Sequence, residues 1–210
     1  MHKGRVIATT LCLLLTAGCS QSLIIPDRVP EPLVQPLPLR AAFYYTQAFS
    51  TYRHTEHEEG QSAWDIELGA ANVGLFNRLG SRLFRSTAQI SKLPTAGNPA
   101  AVDVIIEPVI DAFEFSLPKS SASDQYAVWI RYTLRVYGPE GQLIIAWKLS
   151  GYGEADENTL KPARSMERAT VLAMRDAAAT TSLEFSAQPG IDKLLQEPSD
   201  ASTDANNQAH

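Results

Sequence analysis

The chain has 210 residues, 44% hydrophobic and 20% charged, with a formal net charge of −5 at pH 7. Those values describe an ordinary globular domain, and the acidic balance disfavours nucleic acid as a partner, because phosphate binding needs a basic patch. Both cysteines, Cys12 and Cys19, fall near the N-terminus, so the remaining chain has no disulfide, cysteine–metal site or cysteine nucleophile.

The first element is a targeting segment. His2, Lys3 and Arg5 form a short positive region, and residues 6–15 are mostly apolar. This run is too short for a bilayer span of about 20 residues and fits the roughly 7–15 residues of an export-signal core. The stretch Leu15-Thr16-Ala17-Gly18-Cys19 that follows resembles a bacterial lipobox, in which the cysteine is acylated and becomes the first residue. Thr16 departs from the pattern, where leucine is commoner. Ser20, rather than aspartate, follows the cysteine, which by resemblance to enterobacterial sorting rules implies the outer membrane, facing the periplasm. The expectation is a signal peptide over 1–18 and lipidation at Cys19; the alternative is an ordinary secretory signal with a chance cysteine. Each buried CH₂ of an acyl chain contributes roughly 0.8 kcal/mol, so several chains give firm attachment. Loss of Lys3 and Arg5 with the signal moves the formal charge from −5 to −7.

Residues 19–40 carry Pro26, Pro30, Pro32, Pro36 and Pro38. Proline removes amide donors and favours extended geometry, so this stretch is expected either to be a tether reaching on the order of 60 Å or to pack Leu23-Ile24-Ile25 and Leu33-Val34 onto the domain. A folded domain over 41–195 follows, and 196–210 is a polar, small-residue tail expected to be disordered. About 155 residues suffice for a core that buries roughly 68–70% of the unfolded surface.

Within the domain, residues 41–53 are rich in aromatics and threonine, consistent with a first strand. From Leu68, the recurrence of Leu75, Phe76, Leu79 and Leu83, with Ala71 on the same side and Asn72 interrupting, predicts a helix. Residues 92–100 read as a loop. Residues 102–115 read as a strand in which Pro108 marks an edge or bulge. Tyr126, Val128, Ile130, Tyr132, Leu134 and Val136 alternate with Trp129, Arg131, Thr133 and Arg135. After the turn Gly138-Pro139-Glu140-Gly141, Leu143, Ile145, Trp147 and Leu149 alternate again, completing a hairpin with one buried face. A second helix is expected from about Ser165, with Ala169, Ala173 and Ala177 extending its apolar surface and Pro189 closing it. The order predicts an α+β fold, an antiparallel sheet with two helices packed on one face.

Chemistry is sparse. His54-Thr55-Glu56-His57-Glu58-Glu59 is a dense cluster of potential ligands, but it lacks the His-Glu-x-x-His spacing and reads as a solvated turn. There is no Gly-x-Ser-x-Gly motif, and His54 and His57 are the bases available to a serine or threonine of the domain. Asp103, Glu107 and Asp111 could line a strand face, yet acid–base work needs carboxylates in opposed environments. No catalytic residue, cofactor or metal site is assigned. Gly151-Tyr152-Gly153 would allow a bend or a close backbone approach. Phe43-Tyr44-Tyr45 and Trp129 beside Arg131 are the candidate binding aromatics, because Trp and Arg anchor interfaces; for Trp129 the alternative is a helix packed over it.

The lipobox, the Pro-rich stretch and the hairpin of residues 126–149 followed by Gly151 to Gly153 and an Ala-rich helix are together similar to small accessory lipoproteins of Gram-negative bacteria, of the curli-secretion, exopolysaccharide-export and penicillin-binding-protein-activator kind. That resemblance implies an anchored periplasmic protein, held by lipid through Cys19, that binds an envelope protein complex in transport or assembly. A homo-oligomeric component of an export pore and an envelope hydrolase or metal-binding enzyme are the alternatives.

Overall fold

The computed structural model describes residues 20–27, 33–57, 63–118, 123–158 and 160–196. The signal peptide, Cys19 and residues 197–210 lie outside them, as do Glu58 and Glu59 of the histidine cluster. The strands are β1 (Ser20–Ile24), β2 (Leu37–Tyr44), β3 (Arg53–Glu56), β4 (Ala63–Glu67), β5 (Phe84–Ile90), β6 (Val104–Ser116), β7 (Gln125–Tyr137) and β8 (Leu143–Asp156). The helices are α1 (Gln47–Ser50), α2 (Gly69–Leu83), α3 (Pro162–Glu184) and α4 (Ile191–Gln196).

The fold is α+β, with a five-stranded sheet in the order β5-β2-β6-β7-β8 and a three-stranded sheet in the order β1-β4-β3. The long hairpin is antiparallel as expected, but the sheets are mixed: β2 runs parallel to both β5 and β6, and β1 runs parallel to β4. The reason is connectivity. Chain segments containing a helix carry β2 back to its neighbours, and such crossovers produce parallel pairs. The expected first strand over 41–53 divides into β2, the single-turn α1 and β3, because Thr46 caps α1 by accepting a hydrogen bond from the Phe49 amide at 3.2 Å.

Part of the Pro-rich stretch is folded in. β1 pairs with β4 from Ser20↔Ala63 to Ile24↔Glu67, and Leu23 and Ile25 are buried. Leu37 already belongs to β2. For these residues packing onto the domain, rather than a free tether, is what the structure contains, since Leu23 and Ile25 lose apolar surface to water by joining the core.

α2 and α3 lie on the same face of the large sheet. Phe76 of α2 meets Tyr132 edge to face, with ring centroids 5.9 Å apart, and the odd-numbered residues of β8 from Leu149 to Ala155 are buried beneath α3. At the far end of that face the small sheet contributes Trp64, which packs on Phe115 and Tyr126. α3 begins at Pro162, earlier than Ser165, because the fixed φ of proline suits a first helical turn. Ser165 instead ties that turn to β8 by donating to the Asp156 carbonyl at 2.8 Å. Pro108 is accommodated because β2 pairs with β6 only through Ile106, so β6 has no β2 partner at Pro108.

The parallel pair β2/β6 is clipped by Arg40 and Asp103. The Asp103 carboxylate accepts the Arg40 amide at 2.7 Å and the Arg40 guanidinium at 2.7 Å. The Arg40 side-chain hydrogen bond holds the Asp103 carboxyl below its usual range. A depressed folded-state pKa contributes stability that is present above the unfolded value of about 3.9 and lost as pH falls through the folded value. The difference in urea midpoint between wild type and Asp103→Asn is therefore expected to be present at pH 7 and to shrink below pH about 4. A difference that grows on acidification would refute this assignment.

Candidate functional site

The hairpin has two faces of opposite character, because successive side chains of a strand point to opposite sides. Tyr126, Val128, Ile130, Tyr132, Leu134 and Val136 face the helices and are buried. Trp129, Arg131, Thr133 and Arg135 face the other way, beside Tyr152, Ser150, Lys148 and Ala146 of β8. Trp129 is exposed on this side, so the alternative of a helix covering it does not apply, whereas Thr133, Glu107 and Ile105, nearer β2 on the same side, are buried.

The face is built from cross-strand pairs. Trp129 lies opposite Tyr152, with ring centroids 5.0 Å apart and planes tilted by 41°, and each is 39% exposed. The Tyr152 hydroxyl donates to the Glu154 carboxylate, which pushes its pKa up to about 12, since losing the proton would set two negative charges side by side. Glu114 of β6, also opposite Trp129, holds the Arg131 guanidinium through two hydrogen bonds at 2.7 and 3.2 Å. A register shift between Ile110 and Ala112 brings Asp111 to the Thr133 hydroxyl, which donates to it at 2.6 Å. Glu107 is nearly buried, accepting from the Tyr137 hydroxyl at 2.7 Å and lying 3.5 Å from Arg135. Burial first, and then this carboxylate, push Tyr137 up to about 12. The result is an aromatic pair beside the Glu114–Arg131 ion pair and the Asp111–Thr133 and Glu107–Tyr137 hydrogen bonds. Such a surface can dock a complementary protein without first reordering its own side chains.

Phe43, Tyr45 and His54, also singled out from the sequence, take structural roles, whereas Tyr44 is half-buried. Phe43 is buried, and Tyr45 stacks between Phe43 and Phe49 at 5.9 and 5.7 Å while its hydroxyl donates to Asn77. These aromatics belong to the core and are not part of the exposed face. His54 packs on Phe113 and Phe115 and is 2.9 Å from Glu56, whereas His57 is exposed. Among the described residues no three His, Cys, Asp or Glu side chains gather where they could hold a metal ion. Asp103, Glu107 and Asp111 each serve a separate partner and form no carboxylate pair. Among the described residues no helix is long and apolar enough to cross a membrane.

Sequence reasoning missed Tyr152 as the partner of Trp129. The signal was alternation along β8, but the pairing register needed to read it is interrupted between Val136 and Tyr137.

No family model and no curated protein matches this sequence. Among solved structures, a Xanthomonas campestris protein described as a member of the DUF330 family is similar in fold, with a TM-score of 0.50 at 9% identity, over 80% of this chain and 98% of that one. A minor lipoprotein from Acinetobacter baumannii aligns with a TM-score of 0.38 at 7% identity, over 70% of this chain and 92% of that one. Rare lipoprotein B from Shewanella oneidensis aligns with a TM-score of 0.40 at 13% identity, over 70% and 93%. The first match shows that the same arrangement of strands and helices occurs in an experimentally determined protein.

Proposed function

We propose that the mature chain is an exported accessory lipoprotein, held by acyl chains on Cys19 at the periplasmic side of the outer membrane. In this reading it binds a protein partner of an envelope transport or assembly machine, and the open face of β6, β7 and β8 is its binding surface. The observation that carries the reading is the Trp129–Tyr152 pair, exposed on the side of β7 and β8 turned away from the helices. The lipobox-like sequence supports the anchor.

The anchor is tested by Cys19→Ala, which should abolish acyl labelling and release the protein from membranes; unchanged labelling would sink it. The binding face is tested in cells with a photo-crosslinking residue at position 129 and, as a control, at exposed Leu183 of α3. A discrete partner adduct is expected from 129 and not from 183. Trp129→Ala should weaken the isolated complex by roughly 30-fold, the effect of a hot spot of about 2 kcal/mol. An adduct with a second copy of the chain would replace the heterologous partner by self-assembly, and equal yields from both positions would remove the face from consideration.

A further inference from the structure

We infer that the domain sits directly against the bilayer, with β1 and the N-terminal end of α3 as its membrane-facing surface. The inference rests on the reading that Cys19 carries the acyl chains.

The first argument is chain length. Ser20 follows Cys19, so their Cα atoms are about 3.8 Å apart. Ser20 is already paired with Ala63, and the strand it opens is fixed by buried Leu23 and by the Ile25 amide, which donates to the Glu67 carbonyl at 3.1 Å. The prolines that could make a spacer come after this pinned strand, where they cannot separate the lipid from the domain.

The second argument is the surface beside β1. A wide, shallow depression of about 780 Å³ runs between β1 and the start of α3 and is lined by Ile24, Leu160, Pro162, Lys161 and Arg164. Ile24 is 68% exposed and Leu160 is 91% exposed. Large aliphatic side chains left in water beside two cations suit the headgroup boundary of a membrane: the aliphatic groups enter the acyl region and the cations meet lipid phosphates. Glu167, about one turn further along α3, is the carboxylate of that lining. The occupant is thus the bilayer that the acyl chains themselves enter.

The test uses the complete acylated protein in vesicles of phosphatidylethanolamine and phosphatidylglycerol. A domain without thiols lets a fluorophore be placed at Leu160→Cys or, as a control, at Leu143→Cys at the opposite end of β8, roughly 40 Å away along a strand of 14 residues. Headgroup-labelled quencher lipids should quench the label at 160 several-fold more than the label at 143. A ten-residue Ser-Gly linker inserted between Cys19 and Ser20 should reduce that difference while the protein still floats with the vesicles. Flotation with equal quenching at both sites overturns direct apposition and leaves the anchor intact. Failure of the acylated protein to float overturns both.

Discussion

Gly153→Ala should destabilise the protein by about 3 kcal/mol, a large share of the 5–15 kcal/mol that holds a typical domain together. A Cβ at position 153 would lie 2.3 Å from the Ala169 carbonyl oxygen and 2.4 Å from the Ala173 amide nitrogen. Both are helix backbone and cannot rotate away. Gly151 has the same relation to the next turn, where a Cβ would meet the Ala173 oxygen at 2.0 Å and Ala177 at 2.9 Å. The alanines at 169, 173 and 177 bring α3 down onto β8, and the two glycines receive it. One added methyl group forces the helix off the sheet. The check is the urea midpoint of Gly153→Ala, with the denaturant slope unchanged, against Gly97→Ala, where no heavy atom lies within 4 Å. The control should be neutral or gain about 0.4–1 kcal/mol from a less flexible unfolded chain. Equal behaviour of the two variants would refute the close approach.

Tyr132→Phe is expected to cost about 1–3 kcal/mol although it removes one atom. Tyr132 is wholly buried, and its hydroxyl donates to the Asn72 Oδ1 at 2.6 Å; the Asn72 Nδ2 donates in turn to the Leu68 carbonyl at 3.0 Å. Burial raises the pKa of the Tyr132 phenol, so it stays a donor. Without that hydroxyl, a carbonyl oxygen is left unpaired where no water reaches it. Asn72→Leu alone strands the hydroxyl instead. In the double variant both polar atoms are gone, and the loss should be smaller than the sum of the two single losses. A double-mutant cycle in urea measures this directly, and strict additivity would contradict the pairing.

The same residue shows how far the sequence could be read. Asn72 breaks the apolar stripe of α2, and a helix pattern gives no reason for it; the reason lies on β7, in Tyr132, beyond the reach of local periodicity. The two main helices, the hairpin and the outward side of Trp129 and Arg131 were legible because each has a strong repeat of its own. β1, β4 and β5 were not. β5 is Phe-Arg-Ser-Thr-Ala-Gln-Ile, with the five residues after Phe84 exposed, so it shows no apolar alternation. Its strand state comes from pairing with β2. Among the described side chains of β1, Leu23 is the buried one, and the strand depends on β4 in the same way. The candidate face was half legible: one aromatic was found from alternation, and the other needed the cross-strand register.

The parallel pairs also set an order of events for a chain that emerges N-terminus first. Ala41 finds its neighbours in Thr87 and Val104, and Ser20 finds its own in Ala63. Both N-terminal strands therefore emerge before any partner exists, and β2 keeps two bare edges until β6 has followed. Unpaired edges of this kind are where misassociation begins. During that interval the strand can pair with other chains. Closure of the sheet over β2, which needs contacts distant in sequence and is slow for that reason, ends the exposure.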